Sequence, residues 1–299
     1  MGKRILITGE NSYLGTSFEK YVKKNFPEWK TESISVHGPE WKKLDFGEYD
    51  TIFHAAGKAH ADVGKVSEDK KREYYRINRD LTREVAEKAK GDGTKHFIYP
   101  SSIIIYGDNA SIGQNRKITA DTKPHPSNFY GDSKLQADLL VQKLSDESFH
   151  TAVVRLPMVY GAGSKGNYPL LVKLAKKLPV FPNVKNKRSM IYVENLCQFL
   201  CELIENDDKG VFYPQNARYV STSEMVRMIA EKSGKKLYLV PFSELLINVA
   251  GRLPGKIGRL AGKAFGTLVY DKQMSRYHGN SYQKYDLEES IVRIEGQKL

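Results

Sequence analysis

The chain is poor in cysteine and tryptophan, with two of each among 299 residues. A disulfide scaffold needs more cysteines than that. Cys197 and Cys201 stand four apart in a stretch of helical pattern, where a pair of buried thiols is the expectation. The histidines are scattered and no His-Glu-x-x-His segment occurs, so no metal is expected. Long apolar runs are missing as well: none approaches the ~20 residues of a membrane-spanning helix. Ile5-Leu6-Ile7, behind Lys3-Arg4, is too short for a secretion signal. These absences predict a soluble, cytoplasmic protein. The triplet Asn109-Ala110-Ser111 fits a glycosylation acceptor, but the pattern is common by chance and is discounted. No repeat of solenoid period is visible.

What is present is ordinary for a globular protein: 40% hydrophobic and 27% charged residues. Lysine and arginine number 47 against 35 acidic residues, a net charge of +12. Such a protein attracts anions, whether nucleic acid, acidic lipid or small phosphorylated ligands. No nucleic-acid module is recognisable, so nucleic acid is not an expected partner.

The first half alternates short apolar runs with helical stretches, the pattern of βαβ units and a parallel sheet. Strands are expected at Lys3–Thr8, Thr31–Val36, Thr51–Ala56, His96–Ser101 and Thr151–Leu156. Leu14, Phe18 and Val22 make one helical stripe, and further helices are expected over Glu68–Ala89 and Ser127–Leu144. After Gly161 loops lengthen; helices are expected at 168–177, 194–206, 222–233 and 242–251, and short strands at 189–193, 210–213, 218–221 and 236–240. The reading is an α/β chain: a doubly wound parallel sheet over 1–161 and a smaller mixed domain over 162–299, with interleaving of the two allowed. Ser243 to Phe265 mixes apolar residues with Arg252, Lys256, Arg259 and Lys263. The glycines and Pro254 there favour short packed helices over a continuous amphipathic helix on anionic lipid.

Gly9-Glu10-Asn11-Ser12-Tyr13-Leu14-Gly15 follows the first strand and opens the first helix. Glycine at both ends permits a tight turn and close approach of a pyrophosphate, and the helix start offers N–H donors and positive potential. Ser12 is small and brings a hydroxyl that could bond a phosphate. After the second strand the chain runs Ser35-Val36-His37-Gly38, with neither the carboxylate that selects NAD nor the arginine that selects NADP. Tyr130-Gly131-Asp132-Ser133-Lys134 places a phenol and an ammonium on one helix face. A neighbouring cation favours phenolate, which could exchange a proton with a substrate alcohol. Pro100-Ser101-Ser102 closes the fourth strand, where a hydroxyl could steady charge on the substrate oxygen.

In this order, on these elements, the motifs resemble the extended short-chain dehydrogenase/reductase family of nucleotide-sugar epimerases, dehydratases and reductases. Further segments carry the likeness: Leu44-Asp45-Phe46, His54-Ala55-Ala56-Gly57, the helix segment around Asn78, and Arg155-Leu156-Pro157-Met158-Val159-Tyr160-Gly161. The resemblance implies a Rossmann domain and NAD or NADP as cofactor. It implies cofactor contacts from Gly9, Asn11, Ser12, Tyr13, Leu14, Gly15, His37, Asp45, Phe46, His54, Ala55, Ala56, Asn78, Tyr130, Lys134 and Pro157. Tyr130 is implied as acid/base, Lys134 as its partner and Ser102 as the hydroxyl, with Ser101 as the alternative. Asn167 and Arg188 are implied as contacts to the nucleotide and its diphosphate, beside Ser102 and Tyr130 on the sugar. A homodimer through the helices near 68–90 and 127–144 is a further implication.

Ile103 and Ile104 stand where the family's 4,6-dehydratases carry an acidic pair, so elimination is not expected. Oxidation and reduction at C4 of a UDP-hexose or UDP-N-acetylhexosamine remain. The run from Gly163 to Asn195 is most similar to the UDP-glucose 4-epimerase-like branch, which also contains reductases of UDP-4-keto-6-deoxy sugars. The 4-epimerase is narrowly favoured; the missing acid after the second strand speaks for an NADPH-dependent ketoreductase. A non-catalytic dinucleotide-binding protein is the alternative of another class.

Overall fold

The computed structural model describes residues 2–59, 66–107, 115–241 and 265–296. The glycosylation triplet, the helix expected at 242–251 and all but the last residue of the 243–265 segment lie outside them. In chain order the elements are β1 (Arg4–Thr8), α1 (Tyr13–Asn25), β2 (Lys30–Ile34), β3 (Thr51–His54), α2 (Glu68–Tyr75), a π-helical turn (Arg76–Asp80), α3 (Leu81–Gly91), β4 (His96–Ser102), β5 (Asn115–Ile118), α4 (Phe129–Leu144), β6 (His150–Leu156) and β7 (Met158–Tyr160). They continue as α5 (Asn167–Lys177), β8 (Val180–Asn183), β9 (Met190–Tyr192), α6 (Val193–Asn206), β10 (Gly210–Phe212), α7 (Thr222–Lys232), β11 (Tyr238–Pro241), β12 (Thr267–Tyr270) and α8 (Leu287–Glu295).

The chain divides into two units. The first comprises Met1–Gly107, Lys123–Leu156 and Val193–Pro214. Its sheet runs β10-β6-β4-β3-β1-β2, all pairs parallel. Strand burial explains the composition: Ile5 through Thr8 and all of β3 are buried, as expected when helices cover both faces. Leu6, Phe97 and Tyr99 pack with Val85, Ala86, Ala137 and Val141 of α3 and α4. On α1, Phe18 meets Phe53 of β3 edge-on at 5.1 Å. Each such ring stabilises the unit by roughly 2 kcal/mol. This is the doubly wound architecture expected.

One expectation needs correction here. The single helix over 68–89 is interrupted by the π turn at Arg76–Asp80, which buries Asn78. The units interleave along the chain, the first resuming at Val193–Pro214. Residues 193–214 return to the first unit because β10 extends the sheet beside β6 and α6 packs on α1, where the Tyr21 hydroxyl donates to Gln198 Oε1 (2.8 Å).

The second unit comprises Asp108–Thr122, Pro157–Tyr192 and Gln215–Leu299. Its strands form parallel pairs β11–β8, β12–β5 and β7–β9. The β12–β5 pair is why the segment around 115–118 belongs to it. The strand expected at 218–221 is only an isolated bridge between Val220 and Arg188. Ser221 already caps α7, which leaves no length for a ladder.

Candidate active site

The first βα turn fits a pyrophosphate. Gly9 holds φ +93, and a Cβ there would lie 2.7 Å from the Ala56 nitrogen, because the turn crosses the end of β3 closely. Ser12 caps α1, its Oγ accepting from the Gly15 N–H at 3.0 Å. A Cβ on Gly15 would sit 2.7 Å from that Oγ. The Ser12 oxygen is therefore used as the cap, and only its hydroxyl proton remains for a phosphate. The first turn of α1 contains no acidic residue, so the positive end of the helix is not neutralised. Asn11 is exposed and Tyr13 and Leu14 are half-buried on the same turn.

At the carboxyl end of β4, α4 lies across the strand. The Ser102 side chain lies near enough to the Tyr130 phenol to act on its ionisation. Ser102 Oγ also accepts from the Ile104 N–H at 3.3 Å. One helical turn beyond Tyr130, Lys134 donates from Nζ to the Pro100 carbonyl at 2.7 Å and stands over the Tyr99 ring at 4.2 Å. Burial lowers the Lys134 pKa to about 7, against a raising influence from Asp138. Burial, reinforced by Tyr74, pushes the Tyr130 phenol up to about 12, with the Ser102 hydrogen bond acting the other way. The sequence implies that Lys134 together with an oxidised nicotinamide lowers the Tyr130 pKa; in the chain by itself burial is the largest influence, and the ammonium is directed at Pro100.

Ser101, the alternative hydroxyl, is buried and bonded away from Tyr130. It donates to Asp138 Oδ2 at 2.6 Å, and Asp138 is bound by Arg155 through Nε (3.0 Å) and Nη2 (2.8 Å). Arg155 Nη1 also donates to the hydroxyls of Tyr106 (2.7 Å) and Tyr213 (3.0 Å). Asp138 is fully buried, so Arg155 is a core ion-pair residue of this unit. Sequence reasoning overlooked Asp138, although it recurs at i+4 from Lys134 on the same helix face.

Several residues implied as cofactor contacts are otherwise engaged. His54 is fully enclosed between Thr8 Oγ1 (2.6 Å from Nδ1) and Thr82 Oγ1 (3.0 Å from Nε2). Burial, and then Lys134, lowers its pKa to about 3, which keeps it neutral. Asn78 accepts from the Lys58 N–H (2.8 Å) and donates to the Lys58 carbonyl (3.0 Å) and Ser133 Oγ (3.1 Å). It thus ties the strand-end segment to α4. Phe46 is buried, and its N–H donates to Asp92 Oδ2 at 2.9 Å. The exposed Asp45 carboxylate accepts from the Gly47 N–H (2.8 Å). His37 is exposed just past β2, Ala55 is buried and Ala56 half-buried beneath the Gly9 turn.

Pro157, Asn167 and Arg188 belong to the second unit. Pro157 is buried, and Asn167 is exposed at the first position of α5 behind Gly166, which holds φ +95 and supplies no side-chain cap. Arg188 is buried; Nη1 donates to the Gly266 carbonyl (3.3 Å), and burial lowers its pKa to about 10. Among the described residues no cluster of three metal-ligating side chains occurs, and no helix is long and apolar enough to cross a membrane.

The Gly-cornered turn at the head of a doubly wound sheet, with Ser102, Tyr130 and Lys134 at the end of β4, defines a class of dinucleotide-dependent enzymes. The chain belongs to the NAD dependent epimerase/dehydratase family, whose model matches residues 39–213. A UDP-glucose 4-epimerase of Vibrio cholerae is 29% identical over 296 residues, covering 91% of this chain and 88% of that one. A UDP-N-acetylglucosamine 4-epimerase structure from Bacillus cereus superposes with a TM-score of 0.71 at 16% identity, covering 99% of each chain. The structure of RMD from Pseudomonas aeruginosa complexed with NADPH gives a TM-score of 0.69 at 18% identity, covering 98% of this chain and 99% of that one.

Proposed function

We propose that the chain is an NAD(P)-dependent oxidoreductase acting at C4 of a UDP-hexose or UDP-N-acetylhexosamine, and that it works as a UDP-sugar 4-epimerase. The observation that carries this reading is Lys134, one helical turn beyond Tyr130 on α4, bound to the Pro100 carbonyl of the strand end that carries Ser102. The Gly9–Gly15 turn and the uncompensated start of α1 would hold the pyrophosphate. The nicotinamide, when bound, supplies the hydride acceptor and donor.

Tyr130 takes the proton from the C4 hydroxyl during oxidation and returns one to the C4 oxygen during reduction. Ser102 holds that oxygen and stabilises its developing charge. Lys134 is positioned to share its N–H donors with a ribose and to favour the ionised phenol once a ligand displaces water. An epimerase lets the 4-keto sugar turn over and reduces its other face. Asn167 and Arg188 are assigned to the nucleotide and diphosphate, where a guanidinium suits two oxygens. Two copies pairing through α2 and α4 belong to the same reading.

The run Ser35-Val36-His37 favours a second reading, an NADPH-dependent 4-ketoreductase, because no carboxylate there would repel a ribose phosphate. Release and identification of nucleotide from purified protein separates the two. Retained NAD, with interconversion of UDP-glucose and UDP-galactose or their N-acetylated forms, supports the epimerase. An empty protein that prefers NADPH and reduces a UDP-4-keto sugar overturns it. Tyr130→Phe should abolish either turnover while nucleotide binding persists.

A further inference from the structure

The second unit carries an apolar surface that the proposed reaction does not use. In the β8–β11 pair, Val180 lies in register with Tyr238. Registered partners in a parallel sheet present their side chains to the same face. Val180 is 48% and Tyr238 64% exposed, whereas Phe181 and Leu237 on the opposite face are buried. Leu178, just before β8, is 38% exposed and Leu170 on α5 is 42% exposed.

The charge around this patch has one sign. Between residues 165 and 193 the chain carries seven cationic side chains and no acidic one. Its six lysines are all exposed. Residues 232–241 add Lys232, Lys235 and Lys236, again with no acid. Lys176 pairs with Glu295 (2.9 Å) and Lys232 with Glu288 (2.6 Å). Among the described residues no ion pair engages Lys173, Lys177, Lys235 or Lys236.

We propose that this face, the exposed side of the β8–β11 pair with the residues leading into it, docks on an anionic lipid surface. Exposed aliphatic and tyrosyl side chains bracketed by unpaired lysines match the two terms of interfacial binding: apolar insertion at the headgroup boundary and attraction to acidic headgroups. A nucleic acid would use the lysines but gives Leu178, Val180 and Tyr238 nothing to insert into.

The test is co-sedimentation of the full chain with vesicles of phosphatidylcholine, with and without phosphatidylglycerol, at low and high salt. The wild type should pellet with the phosphatidylglycerol vesicles, remain in solution with phosphatidylcholine alone, and be released by salt. Val180→Ser with Tyr238→Ser should weaken the partition about tenfold. Lys235→Glu and Lys236→Glu should each weaken it at least about fivefold. Circular dichroism and NAD(P)H binding of the variants should match wild type, since these side chains are exposed. Three outcomes overturn the proposal: no pelleting with acidic vesicles; loss in the lysine variants alone, which marks a general polyanion site such as nucleic acid; or unchanged pelleting with a change in oligomeric state on gel filtration, which marks a contact between copies.

Discussion

Replacing Lys134 by methionine should stabilise the empty protein near neutrality while abolishing turnover. The ammonium is enclosed between the Pro100 carbonyl and the Tyr99 ring, and burial lowers its pKa from 10.5 to about 7. A group whose folded pKa lies below its unfolded one contributes fully only above the unfolded value. That contribution is lost as pH falls toward the folded pKa. For Lys134 the linkage cost is about 4 kcal/mol at pH 7 and about 2 kcal/mol at pH 9. Methionine fills similar space without the charge. The lost hydrogen bond to Pro100 takes back about 1–3 kcal/mol. A net gain of about 1–3 kcal/mol is therefore expected at pH 7, shrinking or reversing by pH 9. Tyr130, raised to about 12, and His54, lowered to about 3, both titrate outside this window. Urea unfolding of wild type and K134M at pH 7, 8 and 9 reads the effect. A variant less stable than wild type at pH 7, or a stability difference that stays constant with pH, would refute the argument that Lys134 is held in a strained, desolvated state.

Other expectations follow from neighbouring groups. Ser102→Ala should cut kcat by about 10²–10³-fold with nucleotide binding intact. Ser101→Ala should leave turnover largely in place and lower stability by about 1 kcal/mol, because Asp138 Oδ2 loses one buried hydrogen bond and keeps the one from Arg155 Nε; steady-state kinetics beside thermal melting tells the two serines apart. Asp138→Asn leaves Arg155 buried without its anion and should cost about 3–5 kcal/mol, measured by denaturant unfolding. Because burial lowers the His54 pKa from 6.5 to about 3, stability present above pH 6.5 should be lost as pH falls, by about 3 kcal/mol at pH 4. His54→Leu should remove that acid slope, and an unchanged slope in unfolding curves between pH 6.5 and 4 would assign it elsewhere.

How far these sites could be read from the chain depended on the range of the interaction involved. The Gly9–Gly15 turn and the Tyr130–Lys134 spacing are local patterns, and both fall on the expected elements. The choice between Ser101 and Ser102 was also within reach through the two-residue period of a strand. Phe97 and Tyr99 share the face packed against α3 and α4, so Ser101 belongs to that face and meets Asp138, while Ser102 turns the other way. The π turn was hidden because Ile77, Leu81, Val85 and Ala89 keep a four-residue spacing straight through it; it exists beside the tertiary ties of Asn78 to Lys58 and Ser133. The unit boundary was hidden because β10 joins a sheet whose other strands end far earlier in sequence. The direction of the Tyr130 shift was out of reach for a related reason. Helical spacing brings Lys134 onto the same face as the phenol, but a pKa answers to where the charge points and how much water remains. With the ammonium turned to Pro100 and the phenol enclosed, the resting chain holds a protonated acid beside a weakly charged lysine. The pair is therefore poised to donate a proton, and ionisation of Tyr130 at neutral pH must be driven by what binds next to it.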